Sequence, residues 1–184
     1  MPLPIGHAAI GMAAYETARS KQDSGSRLAK GLFIIFLANL PDIDVLFGLF
    51  LQGNGDAFHR GPTHSLLFAL AGGFIASHLW RFSRRIPRMG FGLCSLLIFS
   101  HVAADMFLTS TPVSFFWPLE IYWKQGHSTW GQVFDMVLFQ SVRDAGIVLA
   151  AVIYVWALRF IRSGGKLRSL LGISGRRMHS NHPK

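Results

Sequence analysis

Residues 31–51 read GLFIIFLANLPDIDVLFGLFL, an apolar run interrupted at its centre by Pro41, Asp42 and Asp44. A helix needs about 20 mostly apolar residues to cross a hydrocarbon core of about 30 Å, and this stretch has that length. A carboxylate at the middle of such a segment costs about 2.5–3.5 kcal/mol on insertion scales, so two of them must be paired or hydrated. Positions i and i+2 do not share a face of a regular helix, and Pro41 lacks the amide a continuous helix would use. The run is therefore expected to break near Asn39-Leu40-Pro41 and to turn both acids toward a polar cavity, the setting in which discontinuous helices occur in membrane proteins.

The rest of the chain agrees with a membrane reading. Of the 184 residues, 51% are hydrophobic and 15% charged, where a soluble domain is nearer one quarter charged. Further apolar segments lie at 64–80, 90–109 and 145–161, with a shorter, Ala-rich one at 3–18 that either crosses or lies as an amphipathic segment on the surface. The expected fold is all-α: an integral membrane helical bundle of four or five spans, with a metal site built between helices. One membrane-embedded domain covers residues 1–161, including an outer loop at 110–144. Residues 162–184 form a basic tail expected to be disordered.

The net charge of +9 does not point to nucleic acid, because the basic residues gather in short blocks between apolar segments. Those blocks, at 19–30, 81–88 and from Arg159 onward, hold fifteen of the 18 Lys and Arg. Only Arg60, Lys124 and Arg143 fall in the other connections. The positive-inside rule then puts the blocks and the carboxyl terminus in the cytoplasm, and the loops 52–63 and 110–144 on the outer side of the membrane. The chain begins without a basic region and cleavage site of the kind a removed signal peptide carries. The single Cys94 allows no internal disulfide.

On this topology the polar residues converge. His101 and Asp105 in HVAAD (101–105) share a face at i,i+4 spacing. His64 opens the next segment at its outer end, and His59 lies five residues earlier in HRGPTHS (59–65). His7 joins them if 3–18 crosses. Up to four imidazoles and three carboxylates then meet near the outer surface, a donor set suited to Zn²⁺ or Mn²⁺, as one or two ions. Such ions acidify water and neutralise developing charge on a phosphoryl or carbonyl oxygen. Thr63 is positioned to cap the helix that follows. Arg60 offers a planar fork to a phosphate, against a bland reading as a solvated loop charge. Glu120 and Asp135 are explained by solvation in the outer loop, with a general base as the alternative role for either; Asp144 beside Arg143 marks the outer end of the last helix, and residues 129–140 read as a surface helix.

An early His7 followed by PDID (41–44), HRGPTHS and HVAAD resembles the YdjM-type inner-membrane proteins, described as membrane-bound metal-dependent hydrolases. The likeness covers most of residues 1–161. It implies a polar core of His7, Asp42, His59, His64, His101 and Asp105 as metal ligands. Asp44 and Arg60 belong to the same motifs and, with His127 of the outer loop, are the candidates for catalytic roles. A looser similarity links the order His, Asp, His, HxxxD to zinc-dependent phospholipases C, which carry additional late ligands that this chain does not match. The resulting expectation is hydrolysis of a phosphoester in a membrane lipid or lipid-linked small molecule. The alternatives are a metal-ion transporter and a metal-stabilised membrane protein without turnover. The sequence leaves the oligomeric state open.

Overall fold

The computed structural model describes residues 2–109, 112–122, 126–139 and 141–170, with side chains at 141, 143 and 164–170 left aside. Among the described residues it contains seven α-helices and no strand. They are α1 (Pro4–Ala18), α2 (Arg27–Asn39), α3 (Ile43–Gln52), α4 (Leu66–His78), α5 (Phe91–Leu108), α6 (Trp130–Phe139) and α7 (Ala145–Leu170).

The break in the opening stretch falls where Pro41 demands it. Helix α2 ends at Asn39, residues Leu40–Asp42 form one 3₁₀ turn, and α3 resumes at Ile43. Gly53 stops α3 in the left-handed conformation at φ 64°, and its amide returns to the Leu49 carbonyl, the usual helix stop for a residue without Cβ.

The apolar core lies between α2, α4 and α5, with Ile34 and Leu37 facing Ala69 and Ala76 and facing Cys94, Leu97 and Ile98. On α5 the buried stripe Cys94, Ile98, His101, Asp105 follows helical spacing, so one face runs from core into polar residues without leaving the bundle. Helices α4 and α5 meet at Gly73, where an added Cβ would strike Ser95. The long flanks of these helices are apolar and bare: Phe36, Phe50, Phe74, Ile75 and Phe107 are all exposed. In a membrane such faces meet lipid rather than water.

Among the described residues, three segments are long and apolar enough to cross a membrane: Arg27–Gln52, Phe91–Leu108 and Ala145–Ser163. This is fewer than the four or five expected. The segment at 64–80 loses its start because Pro62–His64 form a separate 3₁₀ turn and Ser65 is extended, leaving a shorter apolar helix at Leu66–Arg81. Helix α1 has 15 residues, about 22 Å at 1.5 Å per residue. It is no surface helix, because it packs between α2, α5 and α7 with His7 and Glu16 buried.

Two polar clasps hold α1 to α7. Both oxygens of buried Asp144 accept from Leu3 N, at 2.9 and 3.1 Å, and one accepts from Gly6 N at 2.7 Å, satisfying free amides at the start of α1. At the far end Glu16 pairs with Arg159 at 3.2 Å, and Arg162 donates to the Glu16 and Thr17 carbonyls. Helix α7 continues to Leu170, past the tail boundary expected at residue 162. The remainder of that tail, and the part of the outer loop at 123–125, lie outside the described residues. The surface helix expected at 129–140 is α6.

Replacing Gly73 by Val should abolish the folded protein in detergent, read as loss of the monodisperse chromatographic peak. Gly31→Ala, with nothing near its missing Cβ, should leave the peak unchanged.

Candidate metal centre

Four elements deliver the polar side chains. The first turn of α1 supplies His7, the 3₁₀ break supplies Asp42, the loop and 3₁₀ turn after α3 supply His59 and His64, and the C-terminal half of α5 supplies His101 and Asp105. The four imidazoles and Asp105 are 0–1% exposed, whereas the Asp42 side chain is 20% exposed. The break at Pro41 therefore does what the sequence required, bringing Asp42 against α5 with its Oδ1 3.3 Å from His101 Nε2.

The imidazoles are oriented alike. His101 Nδ1 lies 2.7 Å from the Ala38 carbonyl; a carbonyl only accepts, so Nδ1 carries the proton and Nε2 keeps its lone pair. His59 Nδ1 and His64 Nδ1 each lie 3.1 Å from an oxygen of Asp44. Thr63 donates to the same carboxylate at 2.5 Å and the Arg60 amide does so at 3.3 Å. Asp44, buried behind both rings, thus fixes two tautomers at once. The inward atoms, His7 Nε2, His59 Nε2, His64 Nε2, His101 Nε2, Asp42 Oδ1 and both Asp105 oxygens, are buried without a hydrogen-bond partner among the described residues.

Such a collection of unsatisfied atoms would be costly in an apolar bundle. Their spacing suits a shared cation. His64 Nε2 is 3.6 Å from Asp42 Oδ1 and 3.6 Å from Asp105 Oδ2, and His7 Nε2 is 3.5 Å from Asp105 Oδ1. These gaps are long for hydrogen bonds, but ligands bound tetrahedrally at about 2.0–2.1 Å sit about 3.3–3.4 Å apart. Two groups have metal-ligand spacing on these atoms: His7, His101 and Asp105, and Asp42, His64 and His101. A third, Asp44, His59 and His64, is the hydrogen-bonded support just described. The residues present fit a divalent cation, and carboxylate–histidine pairs of this kind are the usual backing of metal ligands.

Arg60 is not a solvated loop charge. It is 1% exposed and its backbone adopts φ 68°, a conformation rare outside glycine and worth a functional explanation. Its guanidinium lies 3.6 Å from Asp105 and donates to Thr109 at 2.9 Å. Thr109 in turn donates to the Asp105 carbonyl. His127 is exposed and lines a cavity with Asp135 whose wall includes none of the cluster residues. Thr63 does not cap the next helix, because Ser65 does, accepting from Phe68 N at 3.0 Å. Sequence reading missed Thr63 and Thr109 as supports, although the i+4 spacing of Thr109 from Asp105 was available to it. It also missed the burial of Asp144, whose partners are backbone amides and leave no mark in sequence.

Fold and cluster together define an all-helical membrane protein with a buried His/Asp centre able to hold a metal ion. The sequence profile of the YdjM inner membrane protein family matches residues 1–166, and the chain belongs to that family. No curated protein and no solved structure matches the chain significantly.

Asp44→Asn keeps the volume but weakens the hold on both Nδ1 protons, and should lower zinc affinity about 10–100-fold. His101→Ala should remove tight binding altogether. Chelator competition on purified protein, with metal content by mass spectrometry, separates the two.

Proposed function

We propose that the protein is a membrane-bound metal-dependent hydrolase acting on a phosphoester of a lipid or lipid-linked molecule near the outer face of the membrane. The observation that carries this reading is the set of inward imidazole nitrogens and carboxylate oxygens at ligand spacing, backed by Asp44 and the Ala38 carbonyl. The imidazoles of His7, His64 and His101 with the carboxylates of Asp42 and Asp105 suit Zn²⁺ or Mn²⁺. His101 Nε2 belongs to both candidate groups and can bind one ion, so a second would rest on His7 and the carboxylates. A divalent cation held here supplies Lewis acidity toward a phosphoryl oxygen and makes nearby water a stronger acid.

The residues divide the remaining work. Asp42, the cluster carboxylate with solvent-accessible surface, and His59 border an adjoining cavity, where a substrate head group would meet the centre. In hydrolysis the water oxygen bonds to phosphorus, the bond to the leaving alcohol breaks, and the water proton ends on the leaving oxygen; Asp42 stands where it can carry that proton. Asp44 is a positioning residue, since its oxygens are engaged by His59, His64, Thr63 and the Arg60 amide. Arg60 balances Asp105 and sets its angle through Thr109.

An ion pathway is less well supported. Below the cluster the bundle is filled by Leu37, Leu97 and Ile98, each fully buried, and a conduit would need polar groups there. Protein reconstituted in vesicles with Zn²⁺ or Mn²⁺ should release phosphate or head group from an anionic phospholipid. His64→Ala and Asp105→Ala should lower the rate at least about 10²-fold. Ion flux through wild-type vesicles that vanished in His101→Ala, without hydrolysis, would instead favour transport.

A further inference from the structure

Resting on the hydrolase reading but asking where its substrate sits, attention falls on two cavities that meet at Asp42. The inner one, of about 180 Å³, runs between α3 and α6 and is walled by Val45, Leu46, Val133, Met136 and Val137, with Asp42 and His59 at one end. The wall on α6 follows helical spacing at i, i+3 and i+4, so the amphipathic helix turns its apolar face to the cavity. Its position is fixed: Phe50 of α3 and Trp130 of α6 pack edge to face at 5.0 Å, and the Ser128 hydroxyl donates to Asp56 at 2.8 Å.

The second cavity is a groove on the outside of the break, lined by Pro4, Ile35, Phe36, Ile43 and Leu46 and again by Asp42. Ile35, Phe36 and Leu46 are 44–52% exposed, on a flank that faces hydrocarbon in a membrane. Pro4, Asp42 and Leu46 are common to both cavities. The two cavities are therefore neighbours at the least buried carboxylate of the cluster, and a chain entering from the lipid side would pass between Pro4 and Leu46 into the apolar pocket. An engineered cavity of about 150 Å³ binds benzene, so the inner pocket is the right size for several carbons of a chain and too small for a whole lipid. An apolar pocket ending in a few convergent polar groups is the ordinary form of a small-molecule site.

We infer that this pocket holds the aliphatic chain of a membrane amphiphile, which enters sideways between Pro4 and Leu46 and leaves its phosphorylated head at Asp42 and His59. Val45, Val133 and Met136 would then set which chains are accepted, and a water-soluble phosphoester would lack the contacts that place it.

The test uses the full-length protein in phosphatidylcholine vesicles containing a phosphatidic acid with a diazirine in one acyl chain. After photolysis, adducts should concentrate on peptides of α3 and α6 that carry Leu46 and Met136. Leu46→Trp and Val133→Trp should each reduce them roughly tenfold while metal content stays at the wild-type level. The wild-type adduct map needs no variant, so it decides the matter even if a substitution unfolds the protein. Adducts spread equally over Ile153 and Trp156 of α7, and indifferent to both substitutions, would overturn the proposal. Concentrated adducts in a protein that neither binds metal nor hydrolyses lipid would uphold the chain site and refute the hydrolase reading. Equal hydrolysis of lipid and of a water-soluble phosphate ester, with a diffuse map, would do the reverse.

Discussion

Charged and polar side chains cannot be left unsatisfied inside an apolar helical bundle, and this one requirement organises the molecule. The carboxylates in the first long apolar run force the break at Pro41, because a straight helix would present at least one of them to hydrocarbon. The break brings Asp42 to His101 and frees the Ala38 carbonyl to hold that imidazole from behind. The loop from His59 to Ser65 folds around Asp44 for the same reason. Each polar group is either bonded outward to protein or aimed inward at its neighbours, and the inward set has the composition and spacing of a coordination sphere.

Within this arrangement Asp44 is the hub. A single carboxylate receives two imidazole protons, a threonine hydroxyl and a backbone amide, so the geometry of His59 and that of His64 are not independent. Its place two residues after Asp42, on the other side of the 3₁₀ turn, lets neighbouring acids take different jobs. One reaches the cluster and the adjoining cavity, and the other holds the ligands. The left-handed backbone at Arg60 belongs to the same construction, since it lets the amide face Asp44 while the guanidinium turns to Asp105.

Much of this was legible in the sequence, for physical reasons. Proline next to two acids in a long apolar run has few solutions, and HxxxD on a helix puts both groups on one face. Hence the break followed from the residues of that run, and the convergence of Asp42, His64, His101 and Asp105 from spacing together with the topology implied by the basic blocks. What remained hidden were contacts made to the backbone, which carry no residue signature: Asp144 on the amides of α1, and Arg162 on its last carbonyls. The capping residue was misplaced by two positions because Thr63 and Ser65 are equally good caps in isolation, and only the pull of Asp44 on Thr63 decides between them. The burial of Arg60 was obscured by its loop position, which in most proteins means solvent. Helix lengths were overestimated where a 3₁₀ turn, rather than composition, ends the element.

The two clasps on α7 have a mechanical consequence. Asp144 and Arg159 are fifteen positions apart, about 22 Å along a helix, whereas an unperturbed hydrocarbon core is about 30 Å thick. Tilting cannot close that gap, because it only shortens the reach of a helix across the bilayer. Lipids around it must compress, or Arg159 must stretch toward the surface. Where the lipids are what yields, a dimple would travel with the protein, and phosphates of nearby lipids would ride lower in it than elsewhere in the leaflet, toward the end of the bundle that holds the histidines.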